Sequence, residues 1–322
     1  MKAMSTIWQT EATIDRAYQL RNHGQALAEV ALRHLVFRNG GFLKWVGRAS
    51  EGLRLVLNQL RPTVVYLPAY TCDTVLHACA GFEIEFVPIG EGWNWDPSGV
   101  RWRKGGVAVL THLFGIPAKL PPRGVIYVED CAHALGVDYL GSNGVASFFS
   151  FGTDKPLNLG GGGLVWAKRP ALLTGCHTIL SSESWSRKRL LETKRHREEE
   201  YETVDDKKLG RLDGWSKTKM ALVFLSLMEM MEKRLHIAGQ YATALGFKGP
   251  LPQTMFPIHV LNPKALVERL WDAGYDSSMG YDILSTRSIS ERVRLESTCC
   301  LPMDPSMSDK DVAKVIEIVR TR

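Results

Sequence analysis

The sequence lacks the regularly spaced cysteines of metal-binding motifs and disulfide scaffolds, and it lacks long apolar runs. Its six cysteines show no CxxC spacing and no second cluster of ligands, which argues against a metal site or a disulfide scaffold. No stretch reaches the roughly 18 consecutive apolar residues that a membrane-spanning helix needs. Residues 1–10 also lack the apolar core of a signal peptide. We therefore expect no metal, no membrane contact and, by default, a cytoplasmic location.

The sequence also lacks a strong charge imbalance. A formal net charge of +6 over 322 residues is modest and suits small anionic ligands such as phosphates or sugar nucleotides. The basic cluster Arg187–Arg197 runs directly into Glu198–Glu200, a pattern typical of a solvated helix. No DNA-binding or RNA-binding motif accompanies it, so we expect no nucleic-acid partner.

Six short apolar segments alternate with helical or loop segments, which predicts an α/β fold with a mainly parallel sheet and helices on both faces. The segments are Val64–Leu67, Ile84–Val87, Val107–Leu110, Val125–Val128, Ser147–Phe151 and Leu164–Ala167. A helical stretch, Ser216–Gly239, then leads into a smaller unit. We predict a large domain over residues 1–240, with an N-terminal helical segment, and a small domain over residues 241–322.

The most informative stretch is Gly124–Gly163, which contains a strand-end aspartate and a lysine before four glycines. Asp130 follows an unbroken apolar strand, and ligands of open α/β sheets collect beyond the carboxyl ends of strands. Lys155 lies on the turn after the next strand. An amine that can form a Schiff base and a carboxylate that can keep a pyridine nitrogen protonated are the parts that a pyridoxal phosphate enzyme needs. A helix-capping Asp130 and a solvated Lys155 are the alternative interpretations.

A resemblance makes this hypothesis specific. The run Val128–Gly136, followed by Phe149–Phe151 and by Lys155 ahead of Gly162–Gly163, resembles the signature of the DegT/StrS-type aminotransferases. That family makes amino sugars with pyridoxal phosphate. Other segments before and after this stretch also resemble the family and occur in its order along the chain: Leu67–Thr71, Gly81–Pro88, Thr111–Gly115, Cys300–Pro305 and Asp309–Arg320. The similarity runs from about Ala49 to the C-terminus, whereas residues 1–40 and 181–209 match poorly.

The resemblance implies the pyridoxal phosphate fold type I, an aspartate aminotransferase-like three-layer domain with a smaller C-terminal α+β domain. It places Lys155 on the Schiff-base lysine, Asp130 on the partner of the pyridine nitrogen and Ser150 on a phosphate-binding hydroxyl. Ala49 and Ser50 stand in place of the family's phosphate-binding Gly-Thr pair. A helix that begins there offers unpaired amides to an anion, and a simple Ser N-cap is the alternative.

Three positions depart from the family's pattern. His133 replaces a common glutamine, and an imidazole there can donate to the cofactor's phenolic oxygen. Cys72 lies where relatives place an aromatic ring against the cofactor face, and a thiol stacks more weakly. Leu212 stands where the family has an asparagine that reaches a neighbouring subunit's phosphate, with Arg211 as a candidate substitute.

By this resemblance the protein is a transaminase with catalytic residues Lys155, Asp130 and His133. Its amino donor is then glutamate or glutamine, its acceptor a keto-sugar nucleotide, and its assembly a homodimer. Two alternatives stay open. One is an acyl condensation or aldol-type cleavage on the same fold, because the Asp-x-Ala-His pattern is also similar to that of α-oxoamine synthases. The other is a non-catalytic relative that has kept the fold.

Overall fold

The computed structural model describes residues 40–137, 140–152, 155–157, 162–175, 214–281, 283–286 and 288–321. The expected N-terminal helical segment, the poorly matching segment 181–209, and Arg211 and Leu212 lie outside the described residues. Within the described part of the chain, no helix is both long enough and apolar enough to cross a bilayer.

The larger sheet has seven strands in the order β1-β7-β6-β5-β4-β2-β3. Strands β2 to β6 pair in parallel, whereas β1 and β7 run antiparallel to their neighbours. The strands are β1 Phe42–Val46, β2 Val65–Pro68, β3 Ile84–Val87, β4 Val107–Thr111, β5 Ile126–Asp130, β6 Ala146–Ser150 and β7 Gly163–Ala167. The expected mainly parallel sheet is confirmed.

The two helices nearest the site pack on one face of this sheet. Helix α1 spans Ala49–Leu60 and helix α2 spans Asp73–Ala78. The apolar spacing of α1 buries Leu53 and Val56 in one cluster with residues of β2, β4 and β7. Gly52 permits this packing, because a Cβ at that position would overlap the side chain of Val165.

A second, antiparallel sheet of three strands, in the order β8-β10-β9, forms the centre of the C-terminal part. Its strands are β8 Phe256–His259, β9 Ser278–Met279 and β10 Thr298–Leu301. The remaining α-helices of the described residues are α3 Gly214–Leu245, α4 Pro263–Asp272, α5 Ile289–Glu296 and α6 Asp309–Arg320. The side chain of Ser308 accepts from the Asp311 amide and so fixes the start of α6 with a capping box.

Helix α3 packs against the large sheet and against the small sheet. Leu227 and Met231 pack in a cluster with residues of β6 and β7, whereas Ile237 and Tyr241 pack with the small sheet and α4. Because this continuous helix runs across residue 240, the division into residues 1–240 and 241–322 stays a prediction.

Two local expectations differ from the structure. Strand β1 was not expected: its partner β7 lies more than a hundred residues away, and the sequence around it gives no periodic signal. The Ser N-cap interpretation of Ser50 is wrong. Arg48 occupies the N-cap position without a side-chain cap, and Ser50 lies inside the first turn of α1.

Candidate active site

The structure brings Lys155, Asp130 and His133 together at the carboxyl end of the parallel strands. Asp130 is the last residue of β5, and Lys155 lies in the turn that follows the neighbouring strand β6. The Nζ atom of Lys155 is 2.8 Å from Nε2 of His133. Asp130 lies near enough to Lys155 for their charges to stabilise each other.

Burial sets the charge states of this group. It raises the pKa of Asp130, although the hydrogen bond from the backbone N–H of Ala132, at 3.0 Å, and the positive charge of Lys155 act to lower this pKa. It also lowers the pKa of Lys155, although the charges of Cys72 and Asp130 act to raise this pKa. Burial and then the charge of Lys155 hold the pKa of His133 well below its usual range, so the imidazole is neutral. A neutral imidazole beside an amine that loses its proton readily suits a nucleophile and proton carrier.

Cys72 lies on the rim of this group, as the N-cap of α2. Its Sγ atom is 3.1 Å from Oγ1 of Thr74, and burial raises the pKa of the thiol, against the hydrogen bond to Thr74 and the charge of Lys155. Directly before it, Oγ1 of Thr71 is buried and has no hydrogen-bond partner among the described residues. An unpaired buried hydroxyl is costly unless a bound group satisfies it.

The start of α1 lies against the strand end that carries Ser150. Ser150 is paired with Gly163 across β6 and β7, and a Cβ at Gly163 would lie 2.7 Å from the backbone N of Ala49. Only glycine therefore allows this close approach. Oγ of Ser150 and Cγ of Lys155 each lie 3.8 Å from a Cβ built at Gly152. The predicted phosphate-binding positions are thus close to the lysine, with Ser50 in the same first turn of α1.

Sequence reasoning missed Tyr281, which comes from the C-terminal part of the chain. Its hydroxyl oxygen is 2.7 Å from Nε2 and 3.3 Å from Nδ1 of His133. Its ring stacks on Phe114, with centroids 5.8 Å apart and an interplanar angle of 24°. Because Tyr281 and His133 are 148 positions apart and no motif surrounds the tyrosine, no sequence signal could have found this contact.

The donor set fits pyridoxal phosphate. Lys155 offers an amine for the aldehyde. Asp130 offers a buried carboxyl for the ring nitrogen, and within the described ranges this carboxyl accepts one backbone N–H, from Ala132. The first turn of α1 and the hydroxyl of Ser150 lie at one end of the group, where a phosphate would meet them. The unpaired hydroxyl of Thr71 provides a further polar atom.

A second buried carboxylate has a different environment. Glu129 precedes Asp130, so its side chain points to the opposite face of the sheet. Nε2 of His112 lies 3.2 Å from Oε2 of Glu129, and Nδ1 of His112 accepts from Ala118, which leaves the proton on Nε2. Three backbone N–H groups also donate to Glu129, at 2.7 to 3.0 Å: Gly141, Asn143 and Gly144.

Cys131 completes this second cluster, which offers three possible metal-ligand atoms within 4.8 Å of one another. The carboxylate oxygens of Glu129 are already occupied by N–H donors, and burial holds the pKa of Cys131 well above its usual value. A neutral thiol and a saturated carboxylate give this cluster a structural role.

Comparison with known proteins agrees with this geometry. Residues 109–257 match the model of the DegT/DnrJ/EryC1/StrS aminotransferase family. No curated protein sequence matches the chain.

Several solved structures are similar over nearly the whole chain. A DegT DnrJ EryC1 StrS aminotransferase from Brucella abortus is 20% identical with a TM-score of 0.69, covering 99% of this chain and 96% of that one. DesV from S. venezuelae is 18% identical with a TM-score of 0.72, covering 98% and 95%. The PLP-form of the putative sugar aminotransferase Spr1654 from Streptococcus pneumoniae is 17% identical with a TM-score of 0.68, covering 97% and 95%. These likenesses confirm the expected fold type I architecture.

Proposed function

We propose that this chain, whose residues 109–257 match the model of the DegT/DnrJ/EryC1/StrS aminotransferase family, binds pyridoxal phosphate through Lys155 and transfers an amino group from glutamate or glutamine to a keto-sugar nucleotide. One observation carries the proposal. The buried amine of Lys155 lies 2.8 Å from a neutral imidazole, in the same group as the strand-end carboxyl of Asp130. Of these groups, transamination requires the amine, which attaches the cofactor and moves the proton, and the acid for the ring nitrogen; the imidazole gives the amine a hydrogen-bonding partner.

When bound, the cofactor supplies an electron sink that stabilises negative charge on the substrate carbon. Lys155 supplies the movable proton. Because burial lowers the pKa of this amine, its Nζ atom can be unprotonated and so available to take a proton from one carbon and return it to another. His133 stays neutral beside it and offers a hydrogen-bonding partner to the amine.

Asp130 holds a proton on the ring nitrogen. The buried carboxyl of Asp130 accepts one backbone N–H and so has lone pairs left for another donor. A positively charged ring N–H would also stabilise the negative charge of the carboxylate, which burial disfavours. Ser150, Ser50 and the first-turn amides of α1 bind the phosphate. The contact between Gly163 and Ala49 keeps these groups on one side of Lys155.

The acceptor class rests on the family and on charge. Sugar aminotransferases are among the similar structures, and the net charge of +6 suits a nucleotide's phosphates. A homodimer is also part of the proposal, by the family resemblance, and sedimentation tests it. The cytoplasmic location expected from the sequence remains a prediction that cell fractionation tests.

Absorbance spectroscopy tests the reaction. The full-length protein is mixed with pyridoxal phosphate, and the spectrum is recorded before and after addition of glutamate, glutamine or, as a control, no donor. The proposal predicts that a donor bleaches the visible band and yields one equivalent of the corresponding oxo acid, and that a keto-sugar nucleotide restores the band. Turnover with no amine lost from the donor would indicate condensation or cleavage, and absence of any band would indicate a non-catalytic relative.

A further inference from the structure

The turn that carries His133 is held by a residue from far along the chain. The hydroxyl of Thr254 donates to the backbone carbonyl of His133, and the two oxygen atoms are 2.6 Å apart. Thr254 is buried and lies two positions before β8. Among the described residues, no other group donates to this carbonyl. Because a buried carbonyl without a donor is costly, the conformation of the turn depends on Thr254.

Thr254 also holds the neighbouring turn, which follows β4. Its amide and the amide of Gln253 donate to the carbonyl of Phe114, at 3.2 and 2.8 Å. Phe114 has a φ of 56°, a strained backbone conformation for an aromatic residue. The two hydrogen bonds help to hold this conformation, in which the ring centroids of Phe114 and His133 are 6.4 Å apart. The phenyl ring therefore forms one wall of the space that the imidazole occupies.

Glycine allows these segments to approach closely. Gly115 has a φ of 80°, and a Cβ at that position would lie 2.8 Å from the carbonyl oxygen of His133 and 3.0 Å from Cβ of Gln253. The turn after β4, the turn after β5 and residues 253–254 thus pack together with no room for a side chain at Gly115. We expect the backbone of His133 to stay in place as long as residue 254 bridges the two turns.

We propose that Thr254 is a positioning residue that holds the imidazole of His133 beside the amine of Lys155. Its hydroxyl fixes the carbonyl of His133, and its amide fixes the backbone of Phe114. The 2.8 Å contact between Nε2 of His133 and Nζ of Lys155 follows from the position that these bonds give the imidazole. The inference rests on the proposed function, and it gives a residue at the entrance to the small sheet a role beside an amine of the large sheet.

Replacement of Thr254 by valine separates its two hydrogen bonds. Valine has nearly the shape of threonine and keeps the amide that donates to Phe114, but it lacks the hydroxyl that donates to His133. Serine keeps the hydroxyl and lacks only the methyl group, so Thr254→Ser is the conservative variant. Thr243→Val is the matched control, because Thr243 is exposed and its hydroxyl donates to the carbonyl of Gly239 within α3.

The test measures how well the imidazole is held, without using catalysis. The full-length, cofactor-free protein is treated with diethyl pyrocarbonate, which acylates neutral imidazoles, and the rate at each histidine is followed by peptide mass spectrometry. His112, which is also buried, reports any general loosening of the fold. Thr254→Val is expected to raise the rate at His133, relative to the rate at His112, by about threefold or more, because the released turn opens locally. Thr254→Ser and Thr243→Val should leave this ratio unchanged.

An unchanged ratio in Thr254→Val would overturn the inference, because Thr254 would then have a structural role only. An equal rise in Thr254→Ser would also overturn it, since the hydroxyl would not be the group responsible. NMR of the unmodified protein gives a second measurement that needs no variant. The hydroxyl proton of Thr254 should exchange slowly with water, and rapid exchange would contradict the hydrogen bond to His133. The proposed function fails separately, through absence of amine transfer.

Discussion

Glu129 and Asp130 are adjacent, equally buried carboxyl groups with opposite environments. Their exposed fractions are 0% and 3%. Burial would raise the pKa of Glu129, but donation from His112 and from the amides of Gly144 and Gly141 outweighs it, and the pKa is lowered. Asp130 has one backbone donor, and its pKa is raised by the same burial. Burial alone therefore does not mark a functional carboxyl; the supply of donors around it does.

From this difference we propose separate tasks for the two faces of β5. On one face, Glu129 ties the end of β4 and the turn before β6 to the sheet. On the other face, Asp130, Lys155 and His133 are left with hydrogen-bonding capacity for a ligand. Changes on the first face should alter stability, and changes on the second should alter chemistry.

The largest expected effect is that of Lys155→Ala. Activity should fall by about 10³-fold or more, because both the covalent attachment and the movable base are lost. Non-covalent cofactor binding should persist in equilibrium dialysis. Lys168→Ala is the matched control, because Lys168 is exposed and its one side-chain partner in the described part of the chain is the carbonyl of Asn143, beside the Glu129 cluster. Full turnover by Lys155→Ala would show that the amine assignment is wrong.

Asp130→Asn should lower kcat by about 10²-fold or more, since an amide cannot stabilise a protonated ring nitrogen as a carboxylate does. The thermal unfolding temperature of the cofactor-free protein should not fall. Steady-state kinetics and calorimetry measure the two effects. A large loss of stability with intact turnover would assign Asp130 the task that we give to Glu129.

Glu129→Gln should do the reverse and lower the free energy of unfolding by about 3 kcal/mol, because an amide NH₂ would face N–H donors that now meet a carboxylate. Urea unfolding monitored by circular dichroism measures this loss. The folded fraction should keep kcat within a few-fold of the unmodified protein. A large drop in kcat with unchanged stability would erase the distinction between the two faces.

The pH dependence of stability should differ in sign. Glu129, with its folded pKa below 4.5, contributes stability that is present above that value and is lost as the pH falls through the lower folded pKa. Asp130, with its folded pKa above 3.8, contributes stability that is present below 3.8 and is lost as the pH rises through the raised folded pKa.

Cofactor-free Asp130→Asn should therefore be more stable than the unmodified protein at pH 7, and this gain should shrink as the pH falls. Calorimetric scans from pH 4 to pH 8 give both trends, and the deficit of Glu129→Gln should shrink only at the acid end. The comparison would be contradicted if the stabilities of both variants, each relative to the unmodified protein, changed in the same direction as the pH falls.

The smallest effect is expected for His133→Gln, which restores the family's usual residue. Turnover should fall by less than about tenfold, the size expected when one neutral hydrogen bond is exchanged for another. The pH profile of kcat/KM measures the change. Complete loss of activity would mean that the imidazole takes part as an acid or base.

The sequence predicted six of the seven strands of the large sheet, all except β1, and placed Asp130 and Lys155 at one edge of it. Continuous apolar runs predicted these six strands to within one or two residues, because both faces of strands such as β2 and β7 are buried. Asp130 and Lys155 could be paired because each follows a neighbouring strand at the same edge. Tyr281 could not be predicted, because its place depends on how two parts of the chain dock. The saturation of Glu129 was equally hidden, since its donors come from a turn without regular structure.

The central claim is that the amine of residue 155 and the acid of residue 130 hold one cofactor between them. The most direct measurement is borohydride reduction of the full-length protein with pyridoxal phosphate, followed by peptide mapping, in the unmodified chain and in Asp130→Asn. The account predicts a single phosphopyridoxyl label on Lys155 in both, with the weaker cofactor affinity in the variant. A label on another lysine, or an affinity that Asp130→Asn leaves unchanged, would contradict it.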